Sequence, residues 1–420
     1  MTATLQRRLG AVDATVLGLG AMVGAGVFAA FTPAAQAAGS GLLIGLLVAA
    51  LVAFANAASS AQLAAVYPIA GGTYVYGRER LGHWWGFSAG WCFLIGKTAS
   101  CAAMAMTFAE YAVDSPWQRP VAIAAVVVVA AVNLAGITRT ALATRVILVV
   151  VVSVLAVVIA SAVAGGGAGM TSEPLLAASG PFGVLQAAGL LFFAFAGYAR
   201  IATMGEEVRD PARTIPRAIL GAFAIAVVLY AVVAVALLIS LGPAGLAASP
   251  DPLAAAVTAN GWAWAAPAVR IAAAAASLGA LLALMAGIGR TVLAMAREGD
   301  LPRLLAAVHA GRSVPHRAEI LLAAVVVIIV AFADLRGAIG FSSFAVLLYY
   351  FVANVAALTQ PRSDRRYPRA LSAFGAAGCL ALVAALPWQS TVAGLVVLFL
   401  GIALRLLARR VWTPNTSTSA

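Results

Sequence analysis

Residues 18–28 read Gly-Leu-Gly-Ala-Met-Val-Gly-Ala-Gly-Val-Phe, so four glycines fall within nine residues of an otherwise apolar run. Glycine is a poor helix former, and this clustering predicts an interrupted helix. A broken backbone at membrane depth is tolerated only where it is buried in protein or lines a cavity. Close packing of two helices through small residues is the alternative explanation. We expect a membrane helix that opens midway.

The composition places this stretch in a membrane protein. Of the 420 residues, 63% are hydrophobic and 10% are charged, and the mean hydropathy is +1.02. Soluble domains carry about 25% charged residues, so a soluble globular enzyme is excluded, and disorder is excluded by the high hydrophobicity. The three cysteines and three histidines show no metal-ligand spacing. We therefore expect no catalytic site, no metal and no cofactor.

Apolar runs between charged breaks predict twelve membrane spans of about 20 residues. With the N-terminus in the cytoplasm, twenty of the twenty-five arginines fall on the cytoplasmic side. This asymmetry agrees with the positive-inside rule and predicts a multi-pass protein of the cytoplasmic membrane with both termini in the cytoplasm. The ninth span is short, so eleven is the alternative count. The net charge of +12 is spread over these short loops and does not indicate nucleic acid binding. The predicted spans are residues 14–37, 41–67, 84–111, 120–137, 141–164, 182–204, 216–241, 262–290, 318–333, 338–359, 370–388 and 390–408.

The sixth span carries a second candidate break, where residues 192–198 read Phe-Phe-Ala-Phe-Ala-Gly-Tyr. The two breaks occupy the first positions of two successive blocks of five spans. Corresponding interruptions in two halves indicate a transporter site built on an inverted repeat. We therefore predict an all-α polytopic membrane protein with 12 transmembrane helices in a 5+5 inverted repeat, with helices 1 and 6 broken and two helices appended. The predicted units are residues 1–164, 165–369 and 370–420.

Four segments, in chain order, resemble the amino acid–polyamine–organocation (APC) superfamily. Besides residues 18–28, these are Pro-Ile-Ala-Gly-Gly-Thr-Tyr-Val-Tyr at 68–76, the stretch 192–217 with its Glu-Glu-Val-Arg-Asp-Pro-Ala-Arg-Thr-Ile-Pro-Arg ending, and Ala-Met-Ala-Arg-Glu-Gly-Asp-Leu-Pro at 294–302. With the span count, the resemblance covers essentially the whole chain. It implies the five-plus-five fold of the bacterial leucine transporter. It also implies amino acid or amine transport across the cytoplasmic membrane.

An opened first helix would present free N–H groups where the dipole of its second half is positive, which favours an α-carboxylate. Freed carbonyls on the first and sixth helices would accept hydrogen bonds from an α-ammonium, so that neutral backbone holds both ends of a zwitterion. The proteins that the chain resembles use the matching stretches in this way. Ordinary helix packing is the alternative role for the aromatic side chains. The predicted substrate-binding residues are Met22, Val23, Gly24, Ala25, Gly26, Phe193, Ala194, Phe195, Ala196 and Tyr198.

Lys97 is the single lysine of the chain and lies in the middle of the third predicted span. Ionisable groups inside membrane spans are costly and usually functional, and no acidic residue lies in the centre of a span. We predict that Lys97 is a proton-coupling group or a substitute for a bound cation. An ammonium bonded to broken-helix carbonyls without titrating is the alternative. Sodium coupling is less favoured, because a dehydrated sodium ion needs several oxygen ligands and Ser277 stands alone on the eighth span.

Arg200 follows the second break, and Glu206 and Glu207 open a mixed-sign cluster directly beneath it. We predict a cytoplasmic gate in which Arg200 pairs with Glu206 or Glu207. Contact with a substrate carboxylate and simple snorkelling of the arginine are the alternatives. Without a carboxylate at mid-membrane, a cationic substrate has no counter-charge, which slightly favours neutral amino acids.

The sequence thus predicts a secondary active transporter that moves an amino acid across the lipid bilayer by alternating access. Proton coupling or exchange is expected to drive it. The alternatives are a cationic amino acid or polyamine exchanger of the same family and an amino acid sensor that does not transport. No phosphate-binding loop of the Gly-x-x-x-x-Gly-Lys-Ser/Thr type is present, which argues against pumping driven by ATP.

Overall fold

A computed structural model describes residues 10–68, 71–136, 141–165, 180–202, 204, 208–309 and 314–412. These residues form α-helices joined by turns and short 3₁₀ segments. The helices are α1 (Ala11–Val23), α2 (Gly26–Ala29), α3 (Phe31–Ala38), α4 (Leu42–Val66), α5 (Thr73–Leu81), α6 (His83–Ala112), α7 (Gln118–Leu134), α8 (Ala141–Ala164), α9 (Gly180–Phe195), α10 (Ala199–Ala202), α11 (Pro211–Ala248), α12 (Pro252–Ala259), α13 (Ala266–Arg297), α14 (His316–Phe332), α15 (Leu335–Leu358), α16 (Arg369–Ala385) and α17 (Trp388–Trp412).

Within the described ranges, nine helical segments are long and apolar enough to cross a membrane. Two shorter apolar helices, α7 and α16, coincide with the predicted fourth and eleventh spans, and α14 coincides with the ninth. Every predicted span therefore overlaps a helix. The number of helices that actually cross the membrane remains a prediction.

The long helix α11 illustrates how proline and glycine set the ends of a span. It begins at Pro211, at a position where proline costs no helical hydrogen bond. Near its other end, Gly242 has φ 67° and ψ 171°, and Pro243 follows it. Proline removes a backbone donor and glycine adopts positive φ without strain. The regular helix therefore stops at residue 241, where the seventh predicted span ends.

The helices pack in a regular set of pairs. Helix α4 packs on α11, α6 on α13, and α7 on α14. Helix α1 packs on α11 while α9 packs on α4, and α8 packs on α13 while α15 packs on α6. The short helix α5 lies against α6 and α15, and the short helix α12 lies against α13 and α8. We call the end of the molecule at which α1 begins the inner end; α5 and the start of α14 lie there.

Candidate functional site

The first predicted break is present. Helix α1 ends at Val23, a turn is formed by Gly24 and Ala25, and α2 begins at Gly26. Gly24 has ψ −105°, far from the helical value, and helical bonding resumes when the Phe28 N–H donates to the Ala25 carbonyl over 3.1 Å. The interruption frees carbonyl groups at the end of α1, including that of Met22. All five residues from Met22 to Gly26 are buried.

The second break is milder than the first. Helix α9 ends at Phe195, Ala196–Tyr198 forms a single 3₁₀ turn, and α10 starts at Ala199. The chain here tightens instead of unwinding, because a 3₁₀ turn keeps i→i+3 hydrogen bonds. The change of hydrogen-bond pattern at the junction still leaves carbonyls near Ala194 and Ala196 open to other donors.

The two breaks touch each other backbone to backbone. A Cβ atom built on Gly26 would lie 2.7 Å from the Cα of Ala194, and one built on Gly197 would lie 2.5 Å from the Met22 nitrogen. Each break therefore places a glycine against the other broken helix. Only a residue without a side chain permits this approach. The structure thus brings together the two predicted groups of substrate-binding residues.

Tyr230, on α11, joins the two breaks. Its hydroxyl lies 2.7 Å from the Met22 carbonyl oxygen and 3.1 Å from the Ala194 carbonyl oxygen, and the residue is 1% exposed. A phenol has a single proton to donate, so the two acceptors share it. Tyr230 is not among the residues predicted for the site. The available signal was a hydroxyl in the middle of an apolar span, which needs a partner when it is buried.

Lys97, on α6, is buried and donates from Nζ to the Ala196 carbonyl oxygen over 3.1 Å, and whether it titrates remains a prediction. Three of the carbonyl groups available to an α-ammonium are therefore bonded to protein donors, two to Tyr230 and one to Lys97. The carbonyl acceptors at the two breaks are thus occupied by donors of the protein itself.

The aromatic side chains of the second break pack against neighbouring helices. The Phe195 ring lies 5.2 Å from that of Tyr230, and the Tyr198 ring lies 5.0 Å from that of Tyr350 on α15. Phe193 is buried. These contacts are those of helix packing, and contact of the three aromatics with a substrate remains a prediction.

A small cavity lies between α1, α8 and α13 beside the first break. Its volume is about 10 Å³, close to the minimum that accommodates one water molecule. Among the side chains that line it, only Thr144 offers an oxygen. The lining residues are Gly20, Val23, Gly24, Thr144, Ile147, Leu148, Val151 and Ala276.

The predicted gate is described only in part. Arg200 is exposed on α10, and its Nη1 lies 3.9 Å from the place a Cβ on Gly287 would take, so the side chain reaches toward α13. Glu206 and Glu207 lie outside the described residues. Their pairing with Arg200 therefore stays a prediction.

A different polar network lies at the inner end. Asp300, in the predicted motif at 294–302, accepts hydrogen bonds from the Tyr74 hydroxyl at 2.8 Å and from Arg405 at 2.5 Å. Arg405 is buried, and its guanidinium lies 4.7 Å from the Trp84 ring centroid and 4.3 Å from that of Phe87. Burial, followed by the bond to Asp300, raises the pKa of the Tyr74 hydroxyl well above its ordinary value. The network ties α5, α6 and α17 to the end of α13, and Arg78 on α5 adds a salt bridge to Glu298 at 3.1 Å.

Comparison with known proteins agrees with this architecture. The family profile described as amino acid permease matches residues 9–413. An uncharacterized transporter of Mycobacterium tuberculosis is 55% identical over 410 residues, which cover 97% of this chain and 93% of the relative. A branched-chain amino acid permease of Bacillus subtilis is 26% identical over 438 residues, covering 97% and 94%. The chloroplastic cationic amino acid transporter 7 of Arabidopsis thaliana is 27% identical over 379 residues, covering 83% and 65%.

The match over nearly the whole chain, the apolar helices and the paired helix breaks lead to one assignment. The protein is a multi-pass membrane transporter that belongs to the amino acid permease family of the APC superfamily.

Proposed function

We propose that this protein is a secondary active transporter that binds an amino acid between the two helix breaks and moves it by alternating access. The observation that carries the proposal is the meeting of two broken helices whose carbonyls are held by Tyr230 and Lys97. These carbonyls are neutral acceptors inside the bundle, which suit an α-ammonium. The N–H groups that follow the first break suit the α-carboxylate, because the helix dipole is positive there.

The helix pairing supports an inverted repeat of five plus five helices. In such a repeat, each helix of the first half corresponds to one of the second half: the α1–α3 segment to α9–α10, α4 to α11, α6 to α13, α7 to α14, and α8 to α15. If each helix is replaced by its counterpart, the packed pairs α4–α11, α6–α13 and α7–α14 are unchanged. The packed pair α1–α11 becomes α9–α4, and α8–α13 becomes α15–α6, and both of these pairs are also packed. The short helices α5 and α12 exchange in the same way. Repeats of residues 1–164 and 165–369, with 370–420 appended, account for this pattern.

Substrate binding in this site requires exchange of donors. An α-ammonium that takes the Met22 and Ala194 carbonyls displaces the Tyr230 hydroxyl, and one that takes the Ala196 carbonyl displaces the Lys97 ammonium. Two ammonium groups close together in a poorly solvated site repel each other strongly. Substrate that takes the Ala196 carbonyl therefore excludes the Lys97 ammonium, which would couple transport to exchange. Substrate that takes only the Met22 and Ala194 carbonyls leaves the Lys97–Ala196 bond in place, which permits uptake together with a proton.

Sodium coupling receives little support from the cavity between α1, α8 and α13. A dehydrated cation needs several oxygen ligands, and the side chains around this cavity supply one, that of Thr144. We therefore retain proton coupling or exchange as the proposed driving force. The inner end, rich in arginine, is proposed to face the cytoplasm.

A neutral amino acid is the preferred substrate. The residues around the breaks are small or apolar, and no described carboxylate contacts them, so a cationic side chain would lack a partner. The branched-chain permease among the relatives is consistent with this preference. A cationic amino acid is the second candidate, because the plant relative is a cationic amino acid transporter.

The test is uptake of tritiated L-leucine and L-arginine into proteoliposomes, with and without an inward proton gradient. We expect saturable L-leucine uptake that the gradient increases. Lys97→Gln and Lys97→Ala should abolish the response to the gradient, whereas Cys92→Ala, a buried change on the same helix, should leave it intact. L-arginine flux alone would support the cationic alternative, and binding without flux would identify a sensor.

A further inference from the structure

A buried carboxyl group lies apart from the two breaks. Glu319 is in the first turn of α14, is 1% exposed, and has an Oε2 atom with no hydrogen-bond partner in the part of the chain that the structure describes. In the sequence it stands at the start of the ninth predicted span, where a carboxylate would ordinarily reach water. The helix dipole favours an acidic residue in the first turn. It does not explain why this side chain is directed into the protein.

The surroundings of the carboxyl group come from three helices. Its Oε1 lies 2.5 Å from the position of a Cβ on Gly289 of α13, so the absence of a side chain there makes room for it. Asn133 of α7 is the nearby amide, and its Nδ2 donates to the Leu282 carbonyl oxygen of α13 over 3.4 Å. Arg290 is the nearby cation on α13 and Cys101 the nearby titratable group on α6.

The remaining charged groups near α14 are peripheral. Arg303 lies in a 3₁₀ turn that packs on α14, and His316 begins α14, with its ring 5.9 Å from that of His309. Among the described residues, no lysine or arginine forms a salt bridge with Glu319. An unpaired carboxylate in such a place is costly, and taking up a proton removes the cost.

The carboxyl group is connected to the proposed substrate site. Ala318, its neighbour, packs in one apolar cluster with Cys101 and with Ala25 of the first break. Cys101 lies one helical turn from Lys97 on α6, so this cluster extends from the neighbour of Glu319 to the part of α6 that carries Lys97. Glu319 thus lies between the region of the breaks and the inner end. Separation of α13 and α14 there would admit water and stabilise the ionised form beside Arg290.

We propose that Glu319 is a proton-binding site of the transport cycle, which holds a proton in the closed protein and releases it at the inner end on opening. The chemistry is a single proton transfer: the O–H bond of the carboxylic acid breaks on opening, the electron pair stays on the carboxylate, and the proton passes to water. Reclosure requires that a proton be bound again. The inference rests on the proposed function, because it assigns part of the proton coupling to this residue.

The first experiment needs no substrate. Infrared difference spectra of the purified full-length protein, between acidic and alkaline buffer, should contain the C=O band of a buried protonated carboxylic acid. Glu319→Gln should remove this band. Glu79→Gln, a carboxyl change at the surface of α5, serves as the control and should leave the band in place. A C=O region that is the same in Glu319→Gln and in the wild type overturns the proposal.

The second experiment measures coupling in proteoliposomes with tritiated L-leucine. Glu319→Gln should retain exchange of internal for external L-leucine but lose accumulation driven by the proton gradient, and Glu319→Asp should retain accumulation at a lower rate. Accumulation by Glu319→Gln at the wild-type level overturns the proposal and shows a structural carboxyl. If the wild type moves neither amino acid of the uptake panel, the proposed function fails, while the infrared result still decides whether Glu319 holds a proton.

Discussion

Tyr230 places one hydroxyl proton between two carbonyl oxygens that a substrate ammonium would also use. We predict that Tyr230→Phe lowers the stability of the substrate-free protein by about 1–3 kcal/mol, because a buried acceptor loses its donor. The ring contact with Phe195 is kept. Since the ammonium no longer competes with the hydroxyl, L-leucine should bind more tightly, while the maximal transport rate falls. Thermal unfolding in detergent and the concentration dependence of uptake measure these effects.

Tyr111→Phe is the control at the same scale. Tyr111 is also buried, but its hydroxyl donates to the Phe28 carbonyl over 3.4 Å, away from the contact between the breaks. Its removal should leave L-leucine affinity unchanged. Equal affinities in Tyr230→Phe and the wild type would show that the hydroxyl and the ammonium do not share acceptors.

At the scale of elements, the contact between the two broken helices leaves no room for a side chain at Gly197. A Cβ on Gly197 would lie 2.5 Å from the Met22 nitrogen and 2.6 Å from the Ala21 carbonyl carbon, which are backbone atoms that cannot rotate away. We predict that Gly197→Ala forces α1 and α10 apart, costs about 1–3 kcal/mol of stability and abolishes uptake. Gly221→Ala on α11 is the control, because its Cβ would meet nothing closer than Thr15 at 3.7 Å. Wild-type uptake by Gly197→Ala would contradict the described contact.

The number of glycines determined how much of each break could be predicted from the sequence. Clustered glycines located the interruption at Gly24 and Ala25, because poor helix formers act locally. The second break has one glycine, Gly197, and forms a 3₁₀ turn, a difference that local propensity could not predict. Tyr230 was missed because its acceptor at Met22 is 208 residues away. Such partnerships arise only when the helices pack.

At the scale of the whole molecule, hydropathy located the helices but not their neighbours. Every predicted span coincides with a helix, because burial in lipid or protein demands an apolar run wherever backbone hydrogen bonds must be satisfied internally. The bond between Asp300 and Arg405 joins segments 105 residues apart, and the motif at 294–302 did not indicate it. The buried position of Glu319 was equally hidden, because a carboxylate at the start of a span is ordinarily solvated.

Ligand binding can also be measured through the thermal unfolding of the whole protein. A ligand that binds only the folded state stabilises it by RT ln(1 + [L]/Kd), or about 2.7 kcal/mol at a hundredfold excess over Kd. We predict that L-leucine raises the unfolding temperature of the detergent-purified protein and that L-arginine does not, because the breaks offer neutral acceptors and no described carboxylate. The shift should vanish in Gly197→Ala, in which the two halves of the site are separated, and persist in Gly221→Ala. A shift with L-arginine alone would instead assign the site to cationic amino acids, and their positive side chain would then need a carboxylate partner that the described residues around the breaks do not provide.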